Sequence, residues 1–309
     1  NNTTSAQASV GGLTEPGRYV FRVTVTDSAG AHESDFAAVE VLAAITVDAP
    51  PFAIVGQPIT LAAEVAADSA TPTFLWEVTQ GSATLDDPGA SSPTLTATRG
   101  ETVKIRLTVA FAGETQAAAS RDVDIVAVPD LTPRVRVETS MGDFVIELDG
   151  ENTPRHMVNF LLYVDEGFYE GLLFHRNACT DNADTGECEP FVLQGGGFRR
   201  VGDELEEVDP THEAIAGENE TSASNGELYT VALALRGGST GSGAIQFFIN
   251  LDANDFLDDA GFTVFGRVAA GTDVVDAIAA TDRVESTILP GEVSLPAEDI
   301  VIERMTRIE

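Results

Sequence analysis

Short segments in which apolar and polar residues alternate recur along most of this chain. Residues 19–25 read YVFRVTV, residues 36–42 read FAAVEVL, and residues 103–109 read VKIRLTV. Successive side chains of a strand point to opposite faces, so this alternation places the apolar residues on one face of an extended strand. Gly, Pro, Asp and Ser residues separate many of the segments, as they do at turns. The pattern predicts a mainly β chain rich in antiparallel hairpins.

One of these segments is repeated. FRVTV at 21–25 matches IRLTV at 105–109, which lies 84 residues further along the chain. This distance is typical of one immunoglobulin-like sandwich. Together with a preceding segment that contains Trp76, the pattern resembles the PKD-like and related immunoglobulin-like repeats of bacterial surface proteins. We therefore expect a complete sandwich over 44–129, with Trp76 in its core, and only the last strands of a partial sandwich over 1–43.

The partial repeat needs a partner, because an isolated hairpin is marginally stable in water and exposes its edges. Three interpretations are open. The chain is a fragment of a longer protein, or the hairpin docks onto the neighbouring domain of its own chain, or it completes a sheet in another copy. The third interpretation predicts strand-exchanged oligomers or filaments.

From residue 130 onward, strand-like segments are interrupted by two helix-like segments. Thr153 and Pro154 form a favourable N-cap and first-turn pair, and apolar residues at helical spacing follow to about Asp165. A second helix is expected near 272–280. Strands are expected at 135–139, 144–148, 230–235, 246–251, 263–268 and 300–308. Many strands with two helices indicate a closed barrel capped by helices.

Five short motifs follow one another in this C-terminal part of the chain. They are FHR at 174–176, FVLQGG at 191–196, QFFIN at 246–250, FLD at 256–258 and FTVFGRV at 262–268. In this order they resemble the cyclophilin family of peptidyl-prolyl cis-trans isomerases, of the bacterial type. The resemblance implies an eight-stranded antiparallel barrel closed by two helices, and it defines a cyclophilin-like domain over 130–309.

Isomerisation of an X–Pro bond requires no covalent chemistry. Rotation faces a barrier of ~18–20 kcal/mol because the amide is stabilised by resonance, and an enzyme must bind the twisted amide more tightly than either planar form. A donor aimed at the prolyl nitrogen weakens the resonance, and arginine suits this role because it is always charged and rich in donors. The match to the family motifs implies this role for Arg176, and it implies that Gln194 orients the substrate carbonyl. No cofactor is expected.

The resemblance also implies which residues bind the substrate. The apolar pocket for the proline ring is assigned to five side chains, namely Phe191, Val192, Phe248, Leu257 and Phe262. The backbone of Leu235 and Arg236 corresponds to the strand end that pairs with the substrate. Phe256 joins the substrate-binding set, at a position where many animal members of the family have Trp, and Phe262 stands where they have His.

The chain has two cysteines, Cys179 and Cys188, separated by the polar stretch TDNADTGE. Two interpretations are open for this pair. A disulfide would close the loop and would indicate an oxidising compartment, whereas free thiols would suit a cytosolic loop. The loop is longer than in short members of the family and lies next to Arg176 in sequence. We expect it to form a lid or a partner-specific wall beside the active arginine.

The charge balance excludes several classes of partner. Asp and Glu total 50 and Lys and Arg total 17, which gives a formal net charge of −33. Such a surface repels nucleic-acid phosphates and anionic lipid headgroups, and no segment approaches the ~20 apolar residues of a membrane span. Four acidic residues near the cysteines lack the spacing of an EF-hand loop, so no metal site is predicted at Asp181, Asp184, Glu187 and Glu189.

We therefore expect an extracytoplasmic peptidyl-prolyl cis-trans isomerase that acts on proline-containing polypeptides. Because the chain lacks a basic-then-apolar leader, we expect a mature or trimmed form. An alternative function is that of a structural subunit in a filament or adhesin. In that alternative the immunoglobulin-like domains assemble, and the cyclophilin-like domain is a decoration or binding module.

Overall fold

The computed structural model describes residues 17–26, 29–41, 44–66, 71–111, 119–181, 188–235 and 243–308. Arg236, Asp184 and Glu187 lie outside these ranges. The described chain is mainly β, with 23 strands and three short helices. It forms two compact units, of which the first comprises Asn1–Arg99 and Val103–Ile125 and the second comprises Gly100–Thr102 and Val126–Glu309. No described helix is long and apolar enough to cross a bilayer.

The N-terminal strands form four small sheets with the orders β1-β2, β3-β6, β4-β11-β10-β7 and β5-β9-β8. The strands are β1 (Gly17–Thr26), β2 (His32–Val41), β3 (Ala44–Asp48), β4 (Phe52–Ile54), β5 (Pro58–Thr60), β6 (Ala62–Ala66), β7 (Pro72–Gln80), β8 (Ala83–Leu85), β9 (Thr94–Ala97), β10 (Thr102–Phe111) and β11 (Ala119–Val128).

Trp76 lies in the core of the first unit, as the sequence predicts. Its ring is buried, and its indole Nε1 donates to the Ala90 carbonyl oxygen over 3.0 Å. Leu107 pairs with Trp76 across β10 and β7, and the alternating residues Ile105 and Val109 are buried with it. Alternation in β10 therefore does place one apolar face in a core.

The sequence predicts one strand over 58–65, and the structure divides it. β5 pairs with β9, whereas β6 pairs with β3. Between them, the Leu61 amide donates to the Pro93 carbonyl oxygen over 2.9 Å, and the Leu61 side chain is buried. The chain thus changes its strand partner at Leu61, which the alternation of residues cannot reveal.

Among the described strands, β1 and β2 pair only with each other. The register of this pair places Phe21 opposite Ala37 and Val25 opposite Glu33. Val25 is 68 % exposed and Phe36 is 66 % exposed. The sequence predicts this hairpin correctly, and the structure leaves its apolar side chains largely in contact with solvent.

The second unit is built around one eight-stranded antiparallel sheet with the order β14-β15-β19-β18-β20-β13-β12-β23. The strands are β12 (Arg134–Thr139), β13 (Gly142–Leu148), β14 (Phe174–Asp181), β15 (Cys188–Gly195), β16 (Phe198–Val201), β17 (Glu204–Glu207), β18 (Thr230–Leu233), β19 (Phe247–Asn250), β20 (Val264–Ala270), β21 (Arg283–Glu285), β22 (Val293–Pro296) and β23 (Ile302–Ile308).

Three helices accompany this sheet, where the sequence predicts two. They are α1 (Pro154–Asp165), α2 (Phe256–Asp259) and α3 (Thr272–Ala279). α1 and α3 are the predicted helices. α2 is a single turn, too short for a helical period to appear in the sequence.

The N-terminus of α1 is capped by a residue that is distant in sequence. Thr153 occupies the predicted N-cap position but makes no side-chain cap hydrogen bond, because its hydroxyl donates to the Asp149 carbonyl oxygen. The Glu218 carboxylate accepts instead from the backbone amides of Arg155 and His156, over 3.2 and 3.1 Å. A carboxylate satisfies free amides at a helix N-terminus and complements the helix dipole.

Candidate active site

The strand register brings the predicted catalytic residues together. Arg176 on β14 lies opposite Gln194 on β15, and Gln194 lies opposite Phe248 on β19. Phe248 in turn lies opposite Ala232 on β18. Four neighbouring strands thus place a cation, an amide and an aromatic ring side by side on the sheet.

A cavity of about 240 Å³ opens beside Arg176 and Gln194. Eight of the predicted site residues line it together with Ala234, and its full lining is Arg176, Phe191, Val192, Gln194, Ala234, Leu235, Phe248, Leu257 and Phe262. Phe248 and Phe262 meet edge to face, with ring centroids 5.5 Å apart. The cavity therefore has a buried apolar floor and a polar edge, which suits a small apolar ring joined to a peptide backbone.

Phe256 lies at the rim and not in the cavity lining. It is 58 % exposed, and its ring stacks on Phe191 at 5.9 Å with an interplanar angle of 14°. The guanidinium carbon of Arg176 lies 5.9 Å from the Phe191 ring centroid. Phe191 therefore has the exposed ring of Phe256 and the charge of Arg176 as neighbours.

A chain of hydrogen bonds fixes the polar edge of the cavity. Nε of Arg176 donates to Oε1 of Glu292 over 2.7 Å, and Nη1 donates to Oε1 of Gln194 over 3.4 Å. Nε2 of Gln194 donates to Oε1 of Gln246 over 2.8 Å. Arg176 is 22 % exposed, so its guanidinium is held by protein groups and still reaches solvent.

Sequence reasoning did not assign Gln246 and Glu292 to the site. Gln246 begins the QFFIN motif, so its position could have indicated the role. Glu292 lies in a segment without a motif, 116 residues after Arg176, and only the folded chain brings the two together.

A second cavity of about 330 Å³ adjoins the first, and the two share Arg176, Gln194, Ala234 and Leu235. Ile288 and Leu289 contribute an apolar wall to it. The shared residues form the ridge between the cavities. A bound peptide that passes over this ridge would therefore contact both.

Burial controls the charge of His175, which precedes the active arginine. Desolvation lowers the pKa of His175 to about 4, so the ring is neutral at pH 7. Its ring lies 4.6 Å from the ring of Phe198. A neutral, enclosed ring of this kind suits packing and not proton transfer at the cavity.

A buried amide network holds the apolar wall. Nδ2 of Asn254 donates to the Phe191 carbonyl oxygen over 3.0 Å and to Oδ1 of Asn250 over 2.9 Å. Asn250 donates to Oδ1 of Asn225 over 2.9 Å, and Asn225 donates to Oδ1 of Asp258 over 2.7 Å. Because Asp258 belongs to α2, this network fixes both β15 and the helix that carries Leu257.

The two cysteines form a disulfide, with Cα atoms 5.4 Å apart. It joins the ends of β14 and β15, next to the strand positions of Arg176 and Gln194. Among the described residues, no group of three or more His, Cys, Asp or Glu side chains is arranged to hold a metal ion. Arg236 and residues 182–187 lie outside the described residues, so their predicted roles stay predictions.

Comparison with known proteins identifies the family. The profile of the family described as "Cyclophilin type peptidyl-prolyl cis-trans isomerase/CLD" matches residues 134–307. The chain is 36 % identical to peptidyl-prolyl cis-trans isomerase cyp18 of Streptomyces antibioticus, over 55 % of this chain and 95 % of that protein. It is 34 % identical to peptidyl-prolyl cis-trans isomerase B of Escherichia coli, over 56 % of this chain and 98 % of that protein.

A solved cyclophilin-type isomerase of Cryptosporidium parvum, determined in the presence of the dipeptide Ala-Pro, is 20 % identical to this chain. It superposes with a TM-score of 0.45 and covers 57 % of this chain and 99 % of that chain. The motifs at 174–268 and the family profile point to the same part of the chain. This chain therefore belongs to the cyclophilin-type peptidyl-prolyl cis-trans isomerases, as the order of its motifs predicts.

Proposed function

We propose that the second unit isomerises X–Pro bonds of extracytoplasmic polypeptides, with Arg176 as the catalytic residue. One observation carries this proposal: the guanidinium of Arg176 stands at the edge of an apolar cavity, bonded to Gln194 on the neighbouring strand. The cavity accepts the proline ring among Phe248, Leu257 and Phe262. The prolyl nitrogen then lies at the polar edge.

Arg176 acts on the twisted amide. As the X–Pro bond leaves planarity, the nitrogen lone pair leaves the carbonyl resonance and becomes a better acceptor. Nε of Arg176 is already bonded to Glu292, so the terminal Nη groups are the donors that turn toward the nitrogen. This hydrogen bond is stronger in the twisted state than in either planar state, which is the condition for catalysis.

Gln194 orients the substrate carbonyl through its side-chain amide. Its orientation is supported by Arg176 on one side and by Gln246 on the other. The apolar wall keeps water away from these donors, and a hydrogen bond is electrostatically stronger in such surroundings than in water. The strand end at Leu235 lies beside the cavity, and backbone pairing with the peptide at Leu235 and Arg236 completes the proposed binding mode.

The proposed compartment rests on the disulfide. Structural disulfides persist in oxidising surroundings such as the periplasm, the cell surface and the extracellular medium, and Cys179 and Cys188 are bonded. The clients are then folding or extended polypeptides with accessible X–Pro bonds.

We further infer a barrel from the eight-stranded sheet and an immunoglobulin-like sandwich from the residues over 44–129. The barrel is supported by a bridge between Leu173 and Val301, and by the Ile302 amide, which donates to the Leu172 carbonyl oxygen over 2.8 Å. These contacts join the two edges of the sheet. The sandwich is supported by buried Trp76 on β7 and by the division of the strands over 44–129 into several short sheets.

The assay that tests the isomerase is proline isomerisation of a short Ala-Pro-Phe peptide. Arg176→Ala is expected to lower kcat/KM by about 100-fold, the scale seen when one preorganised donor to a transition state is lost. Arg199→Ala removes an exposed arginine of the same unit, paired with Glu206, and is expected to leave kcat/KM unchanged. Equal activity of wild type and Arg176→Ala would refute the proposed site.

The exposed hairpin favours a second function, self-association. Val23, Val25 and Phe36 are exposed on a sheet that has two strands in the described part of the chain, and the proposal is that another copy supplies a further strand. Light scattering is expected to give a mass above that of the 32.5 kDa chain, and Val23→Asp is expected to reduce it. A monomer at all concentrations would refute this assembly and leave the isomerase proposal intact.

A further inference from the structure

The carboxylate of Glu292 is the strongest contact of Arg176 within the described residues. Nε of Arg176 donates to Oε1 of Glu292 over 2.7 Å, whereas its bond to Gln194 is 3.4 Å long. Glu292 is 36 % exposed and Arg176 is 22 % exposed, so the pair is partly shielded from water. The carboxylate engages the inner nitrogen of the guanidinium and leaves the terminal nitrogens to face the cavities.

We propose that Glu292 is a positioning residue for Arg176: it holds the guanidinium in the plane from which the terminal nitrogens reach the prolyl nitrogen. This inference rests on the proposed function, because it assigns Glu292 a part in the same reaction. Glu292 does not line the cavity for the proline ring. Its effect passes through Arg176 alone.

The segment that carries Glu292 is built to present it. β21 and β22 pair, with Glu285 opposite Val293, and the turn between them is closed by the Ser286 amide, which donates to the Glu292 carbonyl oxygen over 2.7 Å. The Ser286 hydroxyl accepts from the Leu289 amide over 3.1 Å. Glu292 is therefore held at the base of a hydrogen-bonded turn, and its carboxylate faces β14.

The apolar side chains of this turn support the same placement of Glu292. Leu289 and Ile288 line the larger cavity together with Arg176. The turn thus touches the active arginine through a carboxylate and the adjoining cavity through two apolar side chains.

The charges around Glu292 favour its ionised form. Arg176 faces it from β14, while Asp282 and Arg283 share with it a cavity of about 600 Å³ walled by the disulfide of Cys179 and Cys188. Glu285 is nearby and accepts from the Gly291 amide. Partial burial raises the pKa of Glu292, but hydrogen bonding and attraction from Arg176 outweigh burial and keep this pKa below its ordinary value. The carboxylate is therefore charged at neutral pH.

Positioning matters because an arginine side chain has many rotamers. A free guanidinium would lose that freedom when it engaged the twisted amide, and the loss would raise the barrier. A partner that fixes the guanidinium before the substrate binds removes this cost from the reaction. The expected gain therefore appears in kcat and only weakly in KM.

The first test compares three variants of the full chain in the peptide assay. Glu292→Ala is expected to lower kcat by about tenfold with little change in KM, since reactive geometry and not peptide affinity is lost. Glu292→Gln keeps an acceptor for Nε and is expected to recover most of the activity. Glu138→Ala breaks a comparable pair with Arg304 on the opposite edge of the sheet, and we expect no change in kcat.

The second test asks whether the effect passes through Arg176. In the Arg176→Ala background, Glu292→Ala is expected to have no further effect on kcat, because the group that it positions is gone. The Nε–H signal of Arg176 in a proton–nitrogen correlation spectrum, assigned by its loss in Arg176→Ala, reports the contact directly. It is expected to broaden in Glu292→Ala and to persist in Glu292→Gln.

The outcomes separate this inference from the proposed function. An active wild type, an inactive Arg176→Ala and an unchanged Glu292→Ala would overturn the role of Glu292 and leave the isomerase in place. Multiplicative effects in the double variant would also overturn it, because Glu292 would then act independently of Arg176. An inactive wild type would overturn both proposals, whatever the spectrum shows.

Discussion

Two antiparallel hairpins of similar size have different surroundings in this molecule. Within the ranges that the structure describes, β1 and β2 pair only with each other, and most of their apolar side chains are exposed. β14 and β15 continue through β19 into an eight-stranded sheet and carry Arg176 and Gln194. Local alternation predicts the first hairpin, whereas the segments of the second carry the FHR and FVLQGG motifs and were not predicted as strands. Only the second has neighbours that bury one face and bond its polar side chains, and that is what makes it a site.

The repeat sharpens this contrast within one sequence pattern. Val23 of FRVTV corresponds to Leu107 of IRLTV. Leu107 is fully buried against Trp76, whereas Val23 is 53 % exposed. The pattern alone therefore specifies a strand, and burial depends on what packs against it.

The largest expected effect comes from truncating these two equivalent residues. Leu107→Ala removes buried volume and is expected to lower the free energy of unfolding of the first unit by about 3 kcal/mol, within the usual range for leucine in a core. Val23→Ala is expected to change it by less than about 0.5 kcal/mol. Trp76 is the only tryptophan of the chain, so its fluorescence during urea unfolding reports this unit. A loss of about 2 kcal/mol or more in Val23→Ala, which would approach the loss expected for Leu107→Ala, would show that the hairpin is packed in solution.

The next effect is a loss of stability in acid, which we expect for the second unit because of His175 on β14. Burial lowers the pKa of His175 on β14 to about 4, below the ordinary value of 6.5, so the native ring stays neutral while the unfolded chain takes up a proton. Stability of the second unit therefore falls as the pH drops from about 6.5 to about 4, by about 3 kcal/mol at one pKa unit per 1.36 kcal/mol. Exposed His32 on β2 serves as the comparison.

Circular dichroism during urea unfolding at pH 7 and pH 4.5 measures this effect, with the transition of the first unit identified by Trp76 fluorescence. His175→Phe is expected to lose less stability between the two pH values than wild type, because its side chain does not titrate. His32→Phe is expected to behave as wild type does. Equal acid sensitivity of His175→Phe and wild type would contradict the assignment.

The disulfide distinguishes the turns of the two hairpins. Cys179 and Cys188 join β14 to β15, and the chain has no cysteine left for β1 and β2. Replacing both cysteines by serine is expected to lower the unfolding free energy of the second unit by roughly 2–3 kcal/mol, the value for a loop of this length. Reduction of the wild type should give the same midpoint in urea. Agreement between wild type and the double variant without reductant would show that the bond does not form.

Much of the fold was predictable from local sequence, and the reasons are physical. Alternation identifies β1, β2, β10 and several strands of the eight-stranded sheet but not β14 and β15, and helical spacing after Pro154 identifies α1 to its last residue, Asp165. The division of 58–65 at Leu61 was missed because a change of partner strand leaves the alternation intact. The cap of α1 was misassigned to the Thr153 side chain because its actual partner, Glu218, is more than sixty residues away.

The motif residues of the site were predictable from the sequence, whereas most of the residues that hold them in place were not. Arg176, Gln194 and the apolar wall occur in ordered motifs, and the structure places them around one cavity. Glu292 and Asn225 depend on contacts between distant segments, and no motif signals them. Phe256, which the resemblance assigns to the substrate-binding set, lies at the rim of the cavity, where its ring stacks on Phe191.

The smallest expected effect comes from a comparison of buried side-chain hydrogen bonds with an exposed one. Asn250→Ala deletes the centre of the buried amide network, removes the partner of Oδ1 of Asn225 and of one N–H of Asn254, and is expected to cost about 2 kcal/mol. Thr24→Ala deletes an exposed bond to Ser34 on the first hairpin and is expected to cost less than about 0.5 kcal/mol. Urea unfolding of each unit measures both losses. Because Asn254 also holds the Phe191 carbonyl, Asn250→Ala should in addition raise the KM for the peptide, and an unchanged KM would show that the network stabilises the fold without shaping the proline pocket.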